Sequence, residues 1–298
     1  MKLIAGSANP QLTKKIAQLL KVPLINREIS KFSNGEKRLF ITDELKGENV
    51  AIVQSFVDPT DEIIIETLLM IDALERMGVR HVSLIIPWMG YSLQDKVFRK
   101  GEPISAKVIA NLVSKAYVKR AFLMDLHNDS IPAFFDIPTH YLSALNIFTS
   151  YLTKEFNLEE SVVVSPDFGG LKRARVLANK LEVPLCNIDK TRDLTTGEVE
   201  AADLHGDVTD KTAIILDDVI VSGSTVIEAA DCLQAAGAKE TIFISSHALL
   251  TDGGTQKIQK SKIDRVIITN TIEHEQLPSK FEVLDVAPVF ASNLQNWI

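Results

Sequence analysis

The chain has 298 residues, of which 46% are hydrophobic and 24% are charged. At about 150 residues per domain, this length predicts two domains, each large enough to bury its own core. The composition excludes a disordered chain and a collagen-like repeat. The formal net charge of −7 argues against a broadly basic nucleic-acid binder, while it leaves room for a local basic site.

Neither a targeting segment nor a membrane segment is predicted. The apolar run at residues 3–5 is too short for the core of a signal peptide, and no run approaches the ~18 apolar residues that span a bilayer. Cys186 and Cys232 are too few for a disulfide framework and fit small buried side chains in a reducing compartment. We therefore expect a cytoplasmic protein that binds neither membranes nor nucleic acid.

Short apolar runs alternate with amphipathic stretches along the chain. Residues 10–20 carry apolar side chains on one face of a 3.6-residue period, which predicts a helix. Strands that alternate with helices are typical of an α/β fold whose parallel sheets are covered on both faces. The apolar runs that predict buried strands are residues 3–5, 50–53, 82–86, 121–124, 162–164, 213–216, 242–244 and 266–268.

An internal repeat relates the two halves of the chain. Residues 50–56 align with residues 212–218, and a helix and a further strand follow each of these segments. The second copy ends its strand with two aspartates, where the first copy has Ser55 and Phe56. Because ligands of open α/β sheets sit beyond the carboxyl ends of strands, we expect the second copy to hold a polar ligand and the first to have lost that role.

The acidic pair Asp217 and Asp218 precedes a loop rich in glycine and hydroxyl groups, at the start of a predicted helix. Free N–H groups at a helix N-terminus bind anions, and glycine allows close approach. Adjacent carboxylates can accept hydrogen bonds from vicinal hydroxyls, so a sugar phosphate fits the whole motif. The alternative is a simple helix cap next to two solvated acids. The loop residues are Val221, Ser222, Gly223, Ser224 and Thr225. This motif resembles the ribose-5-phosphate loop of phosphoribosyltransferases and of phosphoribosyl pyrophosphate (PRPP) synthetases.

A second polar segment follows the predicted strand at residues 162–164. Asp167 suits a hard cation such as Mg²⁺, which prefers oxygen ligands and phosphates. The remainder of the segment would let a pyrophosphate approach the backbone beside two cations, although a glycine turn before a basic helix is the plainer interpretation. These residues are Gly169, Gly170, Lys172 and Arg173. The segment resembles the pyrophosphate-binding motif of PRPP synthetases.

A short polar turn at residues 32–36 is led by an aromatic side chain. By itself the pattern fits a hairpin turn. In PRPP synthetases the equivalent stretch binds ATP across a subunit interface. The resemblance assigns Phe32 to the adenine ring. It assigns Asn34 and Glu36, which flank Gly35, to the edge of the base.

Two further segments of the N-terminal half resemble the same family. Residues 91–96 contribute Gln94 to the expected ATP site, but Leu93 stands where the family normally carries an arginine that contacts ATP. Leucine cannot form charge-assisted hydrogen bonds to phosphate, so the identity of the nucleotide stays open. The resemblance assigns His127 to magnesium or to the ATP phosphates, whereas a lone histidine at a strand end is commonly structural.

The polar segment at residues 190–208 has no apolar periodicity and predicts a mobile loop. In the family such a loop closes over the triphosphate and carries an essential lysine and arginine. Lys190 and Arg192 keep that spacing, which assigns them to catalysis. Two solvated cations on a hairpin are the alternative.

The chain resembles PRPP synthetases over residues 3–286, with the motifs in the family's order. The resemblance implies two tandem phosphoribosyltransferase-like, Rossmann-like α/β domains with parallel sheets flanked by helices. Residues 1–145 would be the degenerate copy on the ATP side, and residues 146–298 would hold the ribose-5-phosphate site and the catalytic loop. It implies ATP and ribose 5-phosphate as substrates, Mg²⁺ as cofactor, and a homo-oligomer, dimer or hexamer, with the ATP site shared between subunits.

Two other functions are compatible with these motifs. A phosphoribosyltransferase that joins a base to PRPP would use the same sugar-phosphate loop. A catalytically silent regulatory subunit would explain Leu93, and also Val221, where many family members carry an acid.

Overall fold

The computed structural model describes residues 1–192 and 199–297, without the side chains of residues 190–192 and 199–202. The chain folds into two compact units. The first comprises Met1–Ser143, Thr271–Glu273 and Asp285–Ile298, and the second comprises Ala144–Asn270 and His274–Leu284. None of the helices in the described part of the chain combines the length and the apolar character needed to cross a bilayer.

The first unit is built on a five-stranded parallel sheet. Its elements are, in chain order, β1 (Lys2–Ala5), α1 (Pro10–Leu20), β2 (Arg27–Lys31), β3 (Lys37–Ile41), β4 (Asn49–Val53), α2 (Thr60–Arg76), β5 (His81–Ile86), α3 (Ser105–Lys115), β6 (Arg120–Met124) and β7 (Thr139–Leu142). The strand order is β1-β4-β5-β6-β7, and β2 and β3 form a separate antiparallel hairpin. The central strands are buried on both faces, which is why they read as continuous apolar runs.

The second unit has a seven-stranded sheet. Its elements are α4 (Leu145–Glu155), β8 (Ser161–Ser165), α5 (Leu171–Leu181), β9 (Leu185–Arg192), β10 (Val199–His205), β11 (Thr212–Ile220), α6 (Ser224–Ala235), β12 (Glu240–Ala248), α7 (Gly254–Lys260), β13 (Arg265–Thr269) and β14 (Phe281–Leu284). The order is β10-β9-β8-β11-β12-β13-β14, and only β10 runs antiparallel to its neighbour. The predicted fold class, parallel sheets flanked by helices, is confirmed.

The two sheets repeat one plan. The order β1-β4-β5-β6-β7 recurs as β8-β11-β12-β13-β14, and in each copy an antiparallel pair of strands follows the first helix. Helices α2 and α6 end alike, at Gly78 and Gly237, whose φ angles are +75° and +85°. The residue after each glycine donates its N–H to a leucine carbonyl five residues earlier, at 3.2 Å and 3.0 Å. This pairing and the left-handed glycine define one C-terminal capping motif, used twice.

Two predicted local structures were wrong. The sequence placed the end of a strand at Asp218, but β11 continues to Ile220 because its last residues pair with β12. The segment at residues 190–208 was predicted as a loop, yet much of it forms β9 and β10. Main-chain pairing with β8 places these strands at the sheet edge without any apolar periodicity.

The C-terminal helix α8 (Ala287–Leu294) belongs to the first unit, where it packs against α1. Its buried side chains include Phe290 and Leu294. The sequence placed this segment with residues 146–298, since local pattern does not reveal which helix a terminal helix packs on.

Candidate active site

The predicted acidic pair lies near the C-terminal end of β11. The side chains of Asp217 and Asp218 are 18% and 4% exposed. Arg173, on α5, places Nη1 2.8 Å from Asp218 Oδ1 and 3.9 Å from Asp217 Oδ1. Sequence reasoning identified Arg173 only as a cation of the neighbouring segment. The structure shows that it partly neutralises two adjacent acids, which a buried carboxylate pair requires.

Asp217 titrates differently from an ordinary aspartate. Burial raises its pKa well above the usual range, and the adjacent charge of Asp218 adds to that effect. The charge of Asp167 acts in the same direction. A carboxyl group that retains its proton more readily can donate as well as accept hydrogen bonds, which suits contact with sugar hydroxyls.

The predicted phosphate loop lies between β11 and α6. Helix α6 begins at Ser224, and Gly223 precedes it with φ +84° and no side chain that could cap the helix. A Cβ at this glycine would lie 2.8 Å from side-chain atoms of Ile258 on α7. The carbonyl of Val221 accepts the N–H of Thr251 at 2.9 Å, which fixes the loop from the other side. Uncapped N–H groups at a helix N-terminus and nearby hydroxyls form an anion site.

The segment after β8 forms a tight turn into α5. Asp167 Oδ1 accepts the N–H of Gly170 at 2.9 Å, and its main-chain oxygen accepts Ser165 Oγ at 2.7 Å. Asp167, Gly169 and Lys172 are exposed, as a ligand-binding turn requires. Since β8 and β11 are adjacent parallel strands, this turn and the acidic pair lie at the same edge of the sheet.

The predicted catalytic cations fall at the limit of the described residues. The backbones of Lys190 and Arg192 form the C-terminal end of β9, beyond its last pair with β8, Asn187 with Ser165. Their side chains lie outside the described residues, so the prediction for both stays a prediction.

In the first unit, residues 32–36 form the turn between β2 and β3. This is the hairpin turn that the sequence pattern by itself predicted. Phe32 N–H donates to Glu36 O at 2.8 Å, and Gly35 N–H donates to Phe32 O at 2.9 Å. Asn34 Oδ1 accepts the N–H of Glu36 at 3.1 Å. The Phe32 ring is 52% exposed, so an aromatic ligand could stack on it.

Gln94 and His127 lie on two loops that the structure brings together. Asn128 Nδ2 donates to Asp95 Oδ2 at 2.6 Å, which joins the residues next to both. Gln94 Oε1 accepts Ser105 Oγ at 2.6 Å, and His127 is exposed. The hairpin that carries the turn at residues 32–36 forms ion pairs with α2.

These loops hold strained backbone. Tyr91 and Asp125 have φ angles of +68° and +37°, which are uncommon for residues other than glycine. The Tyr91 hydroxyl donates to Asp61 Oδ1 at 2.5 Å, and Asp125 is buried. Strain of this kind gathers at ligand sites, where the surrounding structure maintains it.

The first copy of the repeat does not keep an open acidic site at the end of β4. Ser55 and Phe56, which align with the aspartates, are 0% and 1% exposed. Ser55 Oγ donates to Thr271 O at 2.6 Å within the same unit. A buried serine and phenylalanine offer no carboxylate to a ligand, as the sequence predicted.

Comparisons with known proteins match this sequence over almost its full length. The model of the N-terminal domain of ribose phosphate pyrophosphokinase matches residues 1–116, and the phosphoribosyl transferase domain model matches residues 139–285. The ribose-phosphate pyrophosphokinase of Thermotoga maritima is 38% identical over 96% of this chain and 91% of that protein. The chain belongs to the ribose-phosphate pyrophosphokinase family. The Bacillus subtilis member is also 38% identical, over 98% of this chain and 92% of its own.

A solved structure of the family has the same fold. The phosphoribosylpyrophosphate synthetase of Mycobacterium smegmatis superimposes with a TM-score of 0.92 at 35% identity, covering 99% of this chain and 98% of that one. The family resemblance inferred from the sequence motifs is therefore confirmed.

Proposed function

We propose that this protein transfers the diphosphoryl group of ATP to the O1 hydroxyl of ribose 5-phosphate, giving 5-phosphoribosyl 1-pyrophosphate and AMP. The observation that carries the proposal is the paired acids of β11 followed directly by an uncapped, hydroxyl-rich helix N-terminus, in a chain that matches this family over almost its full length. The product would supply nucleotide biosynthesis.

The second unit would bind the sugar. Asp217 and Asp218 would accept and donate hydrogen bonds with the ribose hydroxyls, and Arg173 would keep the pair oriented. The loop Val221, Ser222, Gly223, Ser224 and Thr225 would hold the 5-phosphate on the first turn of α6. Gly169, Gly170 and Lys172 would receive the pyrophosphate that forms on O1.

The first unit would bind the nucleotide. Phe32 would stack on adenine while Asn34, Gly35 and Glu36 contact the base edge, and Gln94 and His127 would contact ATP. Exposure of the Phe32 ring supports a site that a neighbouring subunit completes. A homo-oligomer is therefore part of the proposal. The proposed location is the cytoplasm.

The donor groups fit a magnesium ion carried by phosphates. Among the described residues, no three His, Cys, Asp or Glu side chains cluster as a metal cage. Mg²⁺ is ordinarily held by one or two protein ligands and by phosphate oxygens. The exposed Asp167 would supply such a ligand from the second unit, and the exposed His127 would supply one from the first. When bound, the ion neutralises charge on the phosphates.

Transfer itself depends on positioning and charge. The O1 oxygen would attack the β-phosphorus and its proton would pass to solvent. The bond between that phosphorus and the α-phosphate oxygen would break, and AMP would leave with the electron pair. Lys190 and Arg192 would stabilise negative charge on the transferring group.

The test is to incubate the protein with Mg²⁺, ATP and ribose 5-phosphate and to measure AMP and PRPP. Lys190→Ala should lower kcat by about 10²–10³-fold, as loss of a preorganised charge does in other enzymes. Lys239→Ala, which removes an exposed ion pair with Glu160, is the control and should be normal. Near-normal turnover of Lys190→Ala would refute its role.

The same assay separates the other functions. Absence of product under all phosphate and nucleotide conditions would favour a silent subunit. Consumption of PRPP only in the presence of an added base would indicate a phosphoribosyltransferase.

A further inference from the structure

The turn at residues 32–36 has two like charges at its base. Lys31 and Lys37 form the last pair of residues across the β2–β3 hairpin. Side chains directly opposite each other on antiparallel strands are close neighbours on one face, so two lysines there destabilise a hairpin. The hairpin therefore needs negative partners on that face.

Helix α2 supplies these partners. Glu62 and Glu66 are four residues apart and so lie on one face of the helix. Lys31 Nζ lies 2.7 Å from Glu62 Oε2, and Lys37 Nζ lies 2.5 Å from Glu66 Oε2 and 4.0 Å from Glu62 Oε2. We call these four residues the hairpin clasp. Each pair of like charges is offset by the opposite pair.

The two halves of the hairpin clasp differ in burial. The side chains of Lys31 and Glu62 are 52% and 43% exposed, whereas those of Lys37 and Glu66 are 12% and 1% exposed. Exposed ion pairs are screened and contribute little, but a buried charge that loses its partner is strongly unfavourable. The inner pair therefore fixes the turn.

Glu66 is itself held by residues that follow two adjacent strands of the sheet, β1 and β4. Its carboxylate accepts Ser7 N–H at 2.9 Å, Ser7 Oγ at 2.8 Å and Gln54 Nε2 at 2.8 Å. Gln54 Oε1 in turn accepts the N–H of Ala8 at 3.0 Å. These groups follow β1 and β4, so Glu66 connects Lys37 to the parallel sheet of the unit.

We propose that Glu66 is a positioning residue for nucleotide binding, acting through Lys37 on the turn that carries Phe32 and Glu36. The inference rests on the proposed function, in which this turn contacts ATP. Glu66 does not touch the nucleotide. It sets the place of the turn, and the affinity for ATP depends on that placement.

The test compares Lys37→Met, Glu66→Gln and the double variant with wild type, by steady-state kinetics and by calorimetric titration with ATP. KM and Kd for ATP should rise about tenfold or more in all three variants. Displacing a binding group by a fraction of an ångström has effects of this size. KM for ribose 5-phosphate should stay within about twofold. Lys31→Met removes the exposed half of the hairpin clasp and should have a much smaller effect.

Thermal unfolding separates positioning from folding. Each single variant leaves one buried charge without its partner and should lose stability, while the double variant, which removes both charges, should regain part of it. A double variant that regains stability but keeps weak ATP binding supports the proposal. Normal ATP affinity in the single variants, or equal changes in both KM values, would overturn it.

The outcomes distinguish this inference from the proposed function. If wild type forms AMP in the presence of ribose 5-phosphate and the variants match it, only the role of Glu66 fails. If wild type neither forms AMP nor binds ATP in the titration, both fail.

Discussion

At the scale of single residues, Gly223 is required for two independent reasons. Its φ of +84° is unfavourable for other residues, and a Cβ would press on Ile258 at 2.8 Å. The Cγ1 and Cδ1 atoms of the buried Ile258 would have to shift to make room for it. Replacement would therefore move the loop that is proposed to hold the 5-phosphate.

Gly223→Ala is expected to lower the affinity for ribose 5-phosphate at least tenfold, since misplacing a binding loop by about 1 Å has effects of that size or larger. Stability should fall by about 1–2 kcal/mol from the φ angle alone. Gly47→Ala is a matched control, because Gly47 has φ +79° but nothing within 4 Å of its Cβ position. Equal ribose 5-phosphate KM values for both variants and wild type, measured in one assay, would contradict the loop assignment.

Asp217 links the site to pH. Because burial and the charge of Asp218 raise its pKa, the folded protein retains this proton when the unfolded chain has lost it. Stability therefore decreases as pH rises from the ordinary aspartate pKa through the raised one.

Asp217→Asn should abolish activity yet gain thermal stability relative to wild type as pH rises through that window, and the gain should disappear at low pH. Melting temperatures measured from about pH 2 to about pH 8 test this. Asp72→Asn is a control of opposite sign, since hydrogen bonding to Arg76 lowers the pKa of Asp72. A melting-temperature difference for Asp217→Asn that does not vary with pH would refute the pKa argument.

At the scale of elements, the same plan serves different tasks in the two copies. The hairpin after α1 carries an exposed aromatic turn clasped by α2, whereas the equivalent pair after α5 carries Lys190 and Arg192. The strand ends also diverge, with buried side chains after β4 and acids in β11. The functions proposed for the two units differ through these replacements, since the scaffold is constant.

Helix α8 contributes buried side chains to the first unit from the C-terminal end of the chain. Phe290 is fully buried and α8 packs on α1, so Phe290→Ala should cost about 3–5 kcal/mol of unfolding free energy. Ser292→Ala, on the exposed face of the same helix, should change it by less than about 0.5 kcal/mol. Urea denaturation of both variants gives the comparison; a loss below about 1 kcal/mol for Phe290→Ala would contradict this packing.

At the scale of the whole molecule, net charge gives little information about the ligand. The chain carries −7 overall, yet the proposed substrates are polyanions. In the proposed function, binding depends on a few local groups: helix N-terminal amides, Arg173 beside the acids, and the cations at the end of β9.

The proposed sharing of the ATP site predicts the state of assembly. Light scattering of a fully active sample should give at least twice the mass of one chain, and specific activity should fall on dilution as subunits separate. A single-chain mass in a fully active sample would exclude a site completed by a second subunit.

The sequence by itself determined the fold class, the eight strands that form apolar runs, the helix at Pro10–Leu20 and the sugar-phosphate motif, because these depend on apolar periodicity and on residues adjacent in the chain. Tertiary structure alone decided the partners of Arg173, the contacts of Glu66 and the placement of α8. A glutamate among the buried residues of α2 was a local signal that could have been noticed. Its four hydrogen-bond donors come from three distant segments, and a one-dimensional pattern carries no information about which of them meet in space.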